Sequence, residues 1–195
     1  MKELIFETEN ESFIGGWFID ESLCDGVLDF FLEPNYFPVK EGVNSTGIIN
    51  KQIKDSYDKS ISPVTQDIRI VSYLDSLSEI VSLYTKKYNY CNDTSSSWII
   101  TENINIQWYP CNGGYKLYHF ERNGSVRTLT RFLTFMTYLN DVTDAGETEF
   151  YYQKLKVKPQ KGLTLIWPVD WTHTHKGNPS PSQEKAIITG WYSFV

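Results

Sequence analysis

Leu129-Thr130-Arg131-Phe132-Leu133-Thr134-Phe135-Met136-Thr137-Tyr138-Leu139 reads with a period of two. Leu129, Arg131, Leu133, Phe135, Thr137 and Leu139 fall on one face, and Phe132 and Met136 on the other. A β-strand sends successive side chains to opposite faces, so an eleven-residue stretch of this kind predicts a long strand. The same period runs outward from it. Ile104, Ile106 and Trp108 alternate with Asn103, Asn105 and Gln107, Leu163, Leu165 and Trp167 form a further strand, and Ala186 to Tyr192 a last one. Gly113-Gly114, Asn123-Gly124, Ala145-Gly146, Lys161-Gly162 and Gly177 punctuate these runs. Strands at this spacing with glycine turns predict a sandwich or barrel.

Before residue 98 the period is different. Ile14 to Ile19 reads as a short strand. Asp20 is placed to cap a helix over Glu21–Leu32, with Leu23, Val27, Phe30 and Phe31 on its apolar face. Residues Glu33 to Ser62 carry Pro34, Pro38, Gly42 and Gly47 and read as a long loop, whose polar part Lys51–Ser60 is suited to cover or border something. Pro63–Lys87 is the strongest helix, with Ile70, Leu74, Leu77, Val81 and Tyr84 in one stripe. The expectation is one α+β domain over residues 1–195, mainly β. Residues 1–100 supply helical support and a loop, and residues 101–195 the β core.

The chain of 195 residues is 41% hydrophobic and carries 6 Trp, 13 Tyr and 11 Phe, enough to fill a core, which excludes a disordered chain. No run approaches the roughly 18 apolar residues of a membrane span. The acidic start, Met1 to Ser12, does not read as a signal peptide. Cys24, Cys91 and Cys111 are an odd count far apart, so a reducing, cytoplasmic setting is expected, and the Asn-x-Ser/Thr matches at Asn10, Asn44, Asn92 and Asn123 carry little weight. The net charge of −6 is uneven: residues 1–106 hold 8 Lys and Arg against 17 Asp and Glu, and residues 107–195 hold 10 against 7. That mild, scattered excess argues against nucleic acid as the main partner and suits a pocket for a small anion.

Histidine is the scarce residue: His119, His173 and His175 are all there is. His119 and Glu121, two apart in extended chain, share a face, and His173 and His175 repeat the spacing. Two imidazoles and one carboxylate on one face leave three of six octahedral positions open, the arrangement of non-haem Fe(II) oxygenases, whereas a closed structural zinc site needs four protein ligands. A His-x-Glu pair alone is common in unrelated proteins. Lys185, at the start of the last strand, is either a surface group with a buried stem or an inward ammonium suited to a carboxylate. Tyr138 and Tyr109 can add phenolic donors. Arg131 falls on the Leu129/Leu133 face, where anion binding and a buried salt bridge are equally open, and Trp167–Trp171 reads as pocket rim or core.

The run Tyr109-Pro110-Cys111-Asn112-Gly113-Gly114-Tyr115-Lys116-Leu117-Tyr118-His119-Phe120-Glu121 resembles the metal-binding strand of the prolyl 4-hydroxylase-like 2-oxoglutarate/Fe(II) dioxygenases. Tyr138-Leu139-Asn140-Asp141, Gly146-Glu147-Thr148-Glu149-Phe150 and Lys158-Pro159-Gln160-Lys161-Gly162 are similar to motifs that follow in that family. So are His175-Lys176-Gly177-Asn178-Pro179, Lys185 and Trp191. The match runs in the family's order over about residues 104–194, and small members are also encoded by bacterial viruses. The resemblance implies a double-stranded β-helix, or jelly-roll, core with N-terminal supporting helices. It implies His119, Glu121 and His175 as iron ligands, and Lys185 and Tyr138 on the distal carboxylate of 2-oxoglutarate. Tyr109 would then face the co-substrate or the metal side of the pocket.

The cofactor set implied is Fe(II), 2-oxoglutarate and O2, with ascorbate as a reductant. The reaction implied is hydroxylation of an unactivated C–H, by default on a peptidyl proline, with decarboxylation to succinate. A peptide or small-molecule substrate follows, with no membrane partner, and with the host cytoplasm as location if the source is viral. The family's usual acid is Asp, and Glu121 here is one methylene longer. His175 is preferred over His173 for its spacing to Lys185 and its following Lys-Gly-Asn-Pro, which leaves His173 supporting, substrate-facing or structural. Two other classes stay open: a cupin-type metalloenzyme using both His173 and His175, which lacks the acid that normally follows, and a non-catalytic jelly-roll binding module.

Overall fold

The computed structural model describes residues 1–44 and 46–195; Ser45, inside the stretch expected as a loop, lies outside the described residues. Strands β1 (Gly15–Phe18), β2 (Val39–Glu41), β3 (Lys54–Asp55), β4 (Tyr57–Ile61) and β5 (Trp98–Ile99) precede β6 (Ile104–Tyr109), β7 (Gly114–Tyr115) and β8 (Arg131–Tyr138). There follow β9 (Thr148–Phe150), β10 (Leu155–Val157), β11 (Leu163–Pro168), β12 (His175–Gly177) and β13 (Lys185–Phe194). Helices α1 (Glu21–Leu32) and α2 (Ile68–Lys87) lie among the first five strands. The fold is mainly β with antiparallel sheets. The major sheet runs β1-β11-β8-β13-β6-β4-β2 with β5 added to β13, the minor sheet runs β10-β9-β12, and β3 pairs with β7. Among the described residues no helix is long and apolar enough to cross a membrane.

The alternation of β8 organises the core. Leu133 and Phe135 turn toward the helices and pack with Val27, Phe30, Ile70, Tyr73, Leu77 and Ile80. Met136 and Tyr138 turn the other way and pack with Leu165, Trp167 and Ile187 against Phe150 and Val157 of the minor sheet. The sheet is therefore covered on both faces, which is why β8 is apolar almost throughout. One face belongs to the helical scaffold and the other to the packing between the two sheets.

Asp20 caps α1 as expected, its carboxylate accepting from Ser22 N at 2.8 Å, and the helix ends where Glu33 turns extended before Pro34. The second helix starts later than expected. Asp67 takes the cap by accepting from Arg69 N at 3.0 Å, while Ser62 to Thr65 forms a turn after Pro63. Its buried face is also rotated. Ile70, Leu77 and Tyr84 are buried as expected, but Tyr73 and Ile80 are buried in place of Leu74 and Val81, which lie half-buried at the edge. Tyr73 accounts for the rotation: its hydroxyl meets Thr137 Oγ1 at 2.9 Å, and Thr137 meets Thr164 Oγ1 at 2.7 Å, a polar string tying α2 to β8 and β11.

The long loop expected over 33–62 is corrected by the structure. It contains β2, β3 and β4, and β4 pairs with β6 from Tyr57↔Trp108 to Ile61↔Ile104. The first hundred residues therefore extend the major sheet as well as buttress it. Polar residues mask these strands in the sequence because one of them is a buried staple. Lys59 is 1% exposed, and its ammonium donates to the Phe30 and Glu33 carbonyls at 2.9 and 3.0 Å, satisfying the C-terminal end of α1. Lys59→Met should leave both carbonyls without that donor and lower stability by about 2–3 kcal/mol in urea unfolding.

Candidate metal centre

His119 and His175 are joined by a single antiparallel bridge, in which each backbone N–H donates to the other's carbonyl at 2.9 Å. The expected strand around His119 is thus reduced to one bridge, yet His119 and Glu121 still present their ligand atoms to one side. Glu121 is held in turn by its own N–H donating to the Val169 carbonyl at 3.0 Å. The ligand atoms of His119, Glu121 and His175 all lie within 4.8 Å of one another. Glu121 Oε1 is 3.6 Å from His119 Nε2 and 3.5 Å from His175 Nε2.

Both imidazoles are oriented in the same way. His119 Nδ1–H donates to the Leu117 carbonyl at 3.0 Å and His175 Nδ1–H to the His173 carbonyl at 2.9 Å, which leaves both Nε2 atoms facing Glu121. Tyr115 stacks on the His119 ring at 3.9 Å, and Trp167 and Phe150 flank His175. Burial alone would raise the Glu121 carboxyl, but the two imidazoles outweigh it and hold the group well below the usual carboxylate range. Burial, reinforced by His119, pushes His175 below its ordinary value. An anionic carboxylate beside a neutral imidazole is the protonation state a cation needs.

Donors about 2.1 Å from an ion and at right angles to one another stand about 3 Å apart. The observed 3.5 and 3.6 Å need only a small closure, so these three groups fit a divalent cation on one face. Side-chain exposure falls from 22% at His119 through 14% at Glu121 to 8% at His175, so the face opens on the His119 side. The β3–β7 ladder borders that side: Lys54 pairs with Tyr115, and Lys116 N donates to the Ile53 carbonyl at 2.7 Å. The polar stretch around Lys51–Ser60 therefore does border the site.

His173 is not part of the cluster. It ends a short 3-10 turn, Trp171–His173, so it does not share a strand face with His175. Its Nε2–H donates to the Ser12 carbonyl at 3.0 Å and Nδ1 meets the Thr172 hydroxyl at 3.0 Å. Both nitrogens are occupied by protein, and the four-ligand cupin arrangement is not assembled. Trp167 is core beside His175 and Trp171 is exposed, so the Trp167–Trp171 segment divides between the two readings.

Lys185 points inward, with only 4% of its surface exposed. Its ammonium donates to the Gly146 and Asn178 carbonyls at 2.7 and 3.0 Å, and a Cβ on Gly177, two residues past His175 on β12, would lie 3.7 Å from Nζ. Burial pulls this lysine down to about 8, with Glu147 opposing. Tyr109 is paired with Lys185 across β6 and β13, and its ring centre is 5.4 Å from Nζ, while its hydroxyl donates to Gln107 Oε1. Tyr138 is fully buried, and its hydroxyl sits 2.6 Å from Thr148 Oγ1 and 3.1 Å from the Val157 carbonyl, which accepts from it. The structure thus gathers His119, Glu121 and His175 into one cluster, turns Lys185 inward beside Gly177 of β12, and occupies the Tyr138 hydroxyl within the protein.

Arg131 departs from its expected face. The register slips between Tyr192 and Ser193, so that Ser193 pairs with Arg131 while Tyr192 pairs with Leu133. This β-bulge leaves Phe132 and Leu133 both packed on the helical side and sends Arg131 to the cleft. There it grips Glu102 through Nε and Nη2, both at 2.7 Å. Of the two readings open in the sequence, the salt bridge is the one observed.

The sequence pattern of the 2OG-Fe(II) oxygenase superfamily matches residues 104–193. The β core of this chain is a 2OG-Fe(II) oxygenase domain. The oxygenase works with Fe(II), 2-oxoglutarate and O2. No curated protein sequence matches it. Its fold is prolyl hydroxylase-like. The viral collagen prolyl hydroxylase of Paramecium Bursaria Chlorella virus-1, solved with 2OG, superposes with a TM-score of 0.68 at 19% identity over 94% of this chain and 97% of that one. A Pseudomonas putida prolyl-4-hydroxylase gives 0.68 at 17% over 92% of each chain. A Trichoplax adhaerens prolyl hydroxylase, solved with a peptide fragment of the hypoxia inducible factor oxygen degradation domain, gives 0.72 at 18% over 94% and 84%.

Two glycines of the oxygenase separate packing from freedom. A Cβ on Gly114 of β7 would stand 2.7 Å from the Gly177 carbonyl of β12, whereas one on Gly26 of α1 would meet only Arg69 carbons at 3.6 Å. Gly114→Ala should cost about 1–3 kcal/mol by forcing β7 and β12 apart. Gly26→Ala should add about 0.5–1 kcal/mol by improving helix propensity, both read by urea unfolding.

Proposed function

We propose that this oxygenase hydroxylates a C–H bond of a peptidyl proline or related amino-acid side chain, converting 2-oxoglutarate to succinate. In this reading His119, Glu121 and His175 hold Fe(II) and Lys185 binds the distal carboxylate of the co-substrate. The observation that carries it is the cluster of three ligand atoms, with a buried ammonium beside Gly177 on the strand that carries His175. We read the cleft between the two sheets as the interior of a double-stranded β-helix spanning residues 101–195, with the rest of a single domain packed around it.

The chemistry supplied by the bound metal and co-substrate is O2 activation coupled to loss of CO2. The chain's own residues do the placing. Three facial donors would leave positions open on a bound cation for the 2-oxo acid and for O2. His175 and Gly177 are two residues apart on β12, about 7 Å along the strand, a span suited to a five-carbon dicarboxylate reaching from the metal to Lys185. The ammonium has two of its three donors on the Gly146 and Asn178 carbonyls and keeps one for the ligand. Tyr109 and Ile187 wall the same side, and Tyr138, its hydroxyl engaged by Thr148 and Val157, serves as packing.

The fold shared with three prolyl hydroxylases, one of them solved with a peptide, supports the substrate class. Succinate release from 2-oxoglutarate should depend on a proline-containing peptide. His119→Ala, Glu121→Ala and His175→Ala should each lower it at least 100-fold, while His173→Ala retains it. Absence of succinate with every prolyl peptide would overturn the substrate assignment. A second measurement follows from Lys185, whose value of about 8 lies well below that of an ordinary lysine. The charged form binds the carboxylate, so the KM for 2-oxoglutarate should climb as pH rises through about 8. Lys185→Arg, charged throughout, should flatten that profile, and Lys185→Ala should raise KM roughly 10–100-fold at pH 7.

A further inference from the structure

The two oxygens of Glu121 have different surroundings. Oε1 faces His119 Nε2 and His175 Nε2. Oε2 accepts a hydrogen bond from Trp191 Nε1 at 3.0 Å and lies 3.6 Å from an Arg131 guanidinium nitrogen. That same nitrogen donates to the Glu121 backbone carbonyl at 3.0 Å, so Arg131 holds the residue at two points.

Arg131 is itself immobilised. It pairs with both carboxylate oxygens of Glu102 at 2.7 Å, and its guanidinium carbon lies 3.5 Å from the centre of the Trp191 ring. A planar guanidinium stacked on an indole and forked on a carboxylate has little freedom left. The bulge at Tyr192/Ser193 brings this arginine to the cleft, and Trp191 stands on the same stretch of β13, paired with Thr134. The order Glu102, Arg131, Trp191, Glu121 is a continuous brace from the surface to the metal face.

We propose that Trp191 and Arg131, backed by Glu102, are positioning residues that keep Glu121 a one-oxygen donor. This rests on the ligand set proposed above. A glutamate reaches further than an aspartate and has the freedom to swing both oxygens onto a cation. Bidentate binding would fill a fourth position of the octahedron and leave two, enough for a chelating 2-oxo acid and none for O2. With Oε2 held by the indole N–H and the guanidinium, Oε1 alone faces the histidines, and the third position stays open.

The test uses the full chain loaded with Co(II), whose visible absorption reports coordination number and geometry. Trp191→Phe removes the indole donor and keeps a ring under Arg131. Arg131→Met removes the guanidinium, and Glu102→Gln weakens its anchor without touching Glu121. Trp191→Phe and Arg131→Met are expected to alter the Co(II) spectrum in the absence of co-substrate and to change Co(II) affinity roughly 10–100-fold. Glu102→Gln is expected to shift the spectrum in the same direction by less. His119→Ala is the control for the ligand set. If it keeps wild-type Co(II) binding, the ligand reading itself fails. If it loses Co(II) while the three brace variants keep the wild-type spectrum and affinity, the ligand set stands and the brace is overturned. Should Arg131→Met not fold, Trp191→Phe and Glu102→Gln decide between those outcomes.

Discussion

Two backbone hydrogen bonds between His119 and His175 hold the site together. Neither residue sits in a long strand, and the bridge between them is one residue pair wide. It nonetheless sets the separation of two imidazoles that come from segments 56 positions apart in the chain. Everything around it secures that pair. Two carbonyls orient the rings, Tyr115 and Trp167 flank them, and the β3–β7 ladder fixes the segment that leads into His119. The major sheet supplies a rigid floor, because packing both of its faces leaves it little room to flex.

The electrostatics of the cleft are divided between two ends. At one end a carboxylate held ionised meets a histidine held neutral, which favours a cation. At the other end a buried lysine has the Gly146 and Asn178 carbonyl oxygens as hydrogen-bond partners, which leaves its charge to favour an anion. The mild positive balance of residues 107–195 sits in the same half of the chain as that lysine.

The shared side of His119 and Glu121 was legible in their spacing, whereas residue type and position left Lys185 open between surface and interior, and the grouping of His119, Glu121 and His175 followed from the resemblance. Other features depended on partners distant in sequence. The strands within 33–62 are polar, since Lys59 and Lys54 are buried by hydrogen bonding and ion pairing rather than by apolarity. The rotation of α2 follows from a hydroxyl meeting Thr137, which no helical stripe reveals. Arg131 and Phe132 landed on unexpected sides because a bulge reverses the alternation at the start of β8, and alternation assumes an unbroken ladder. The hydroxyl of Tyr138 found Thr148 and Val157 through the packing of the minor sheet, a contact that only the assembled fold creates.

The alternation of β8 has a consequence for how such a domain can change. From Leu133 onward, odd positions answer to the helices and even positions to the cleft. Scaffold and chemistry thus draw on separate sets of side chains along one strand. Drift in the helices can be absorbed by odd positions with the cleft untouched, and a new substrate can be accommodated at even positions with the scaffold intact. The strand works as a partition wall, and the bulge beside Arg131 is a doorway through it.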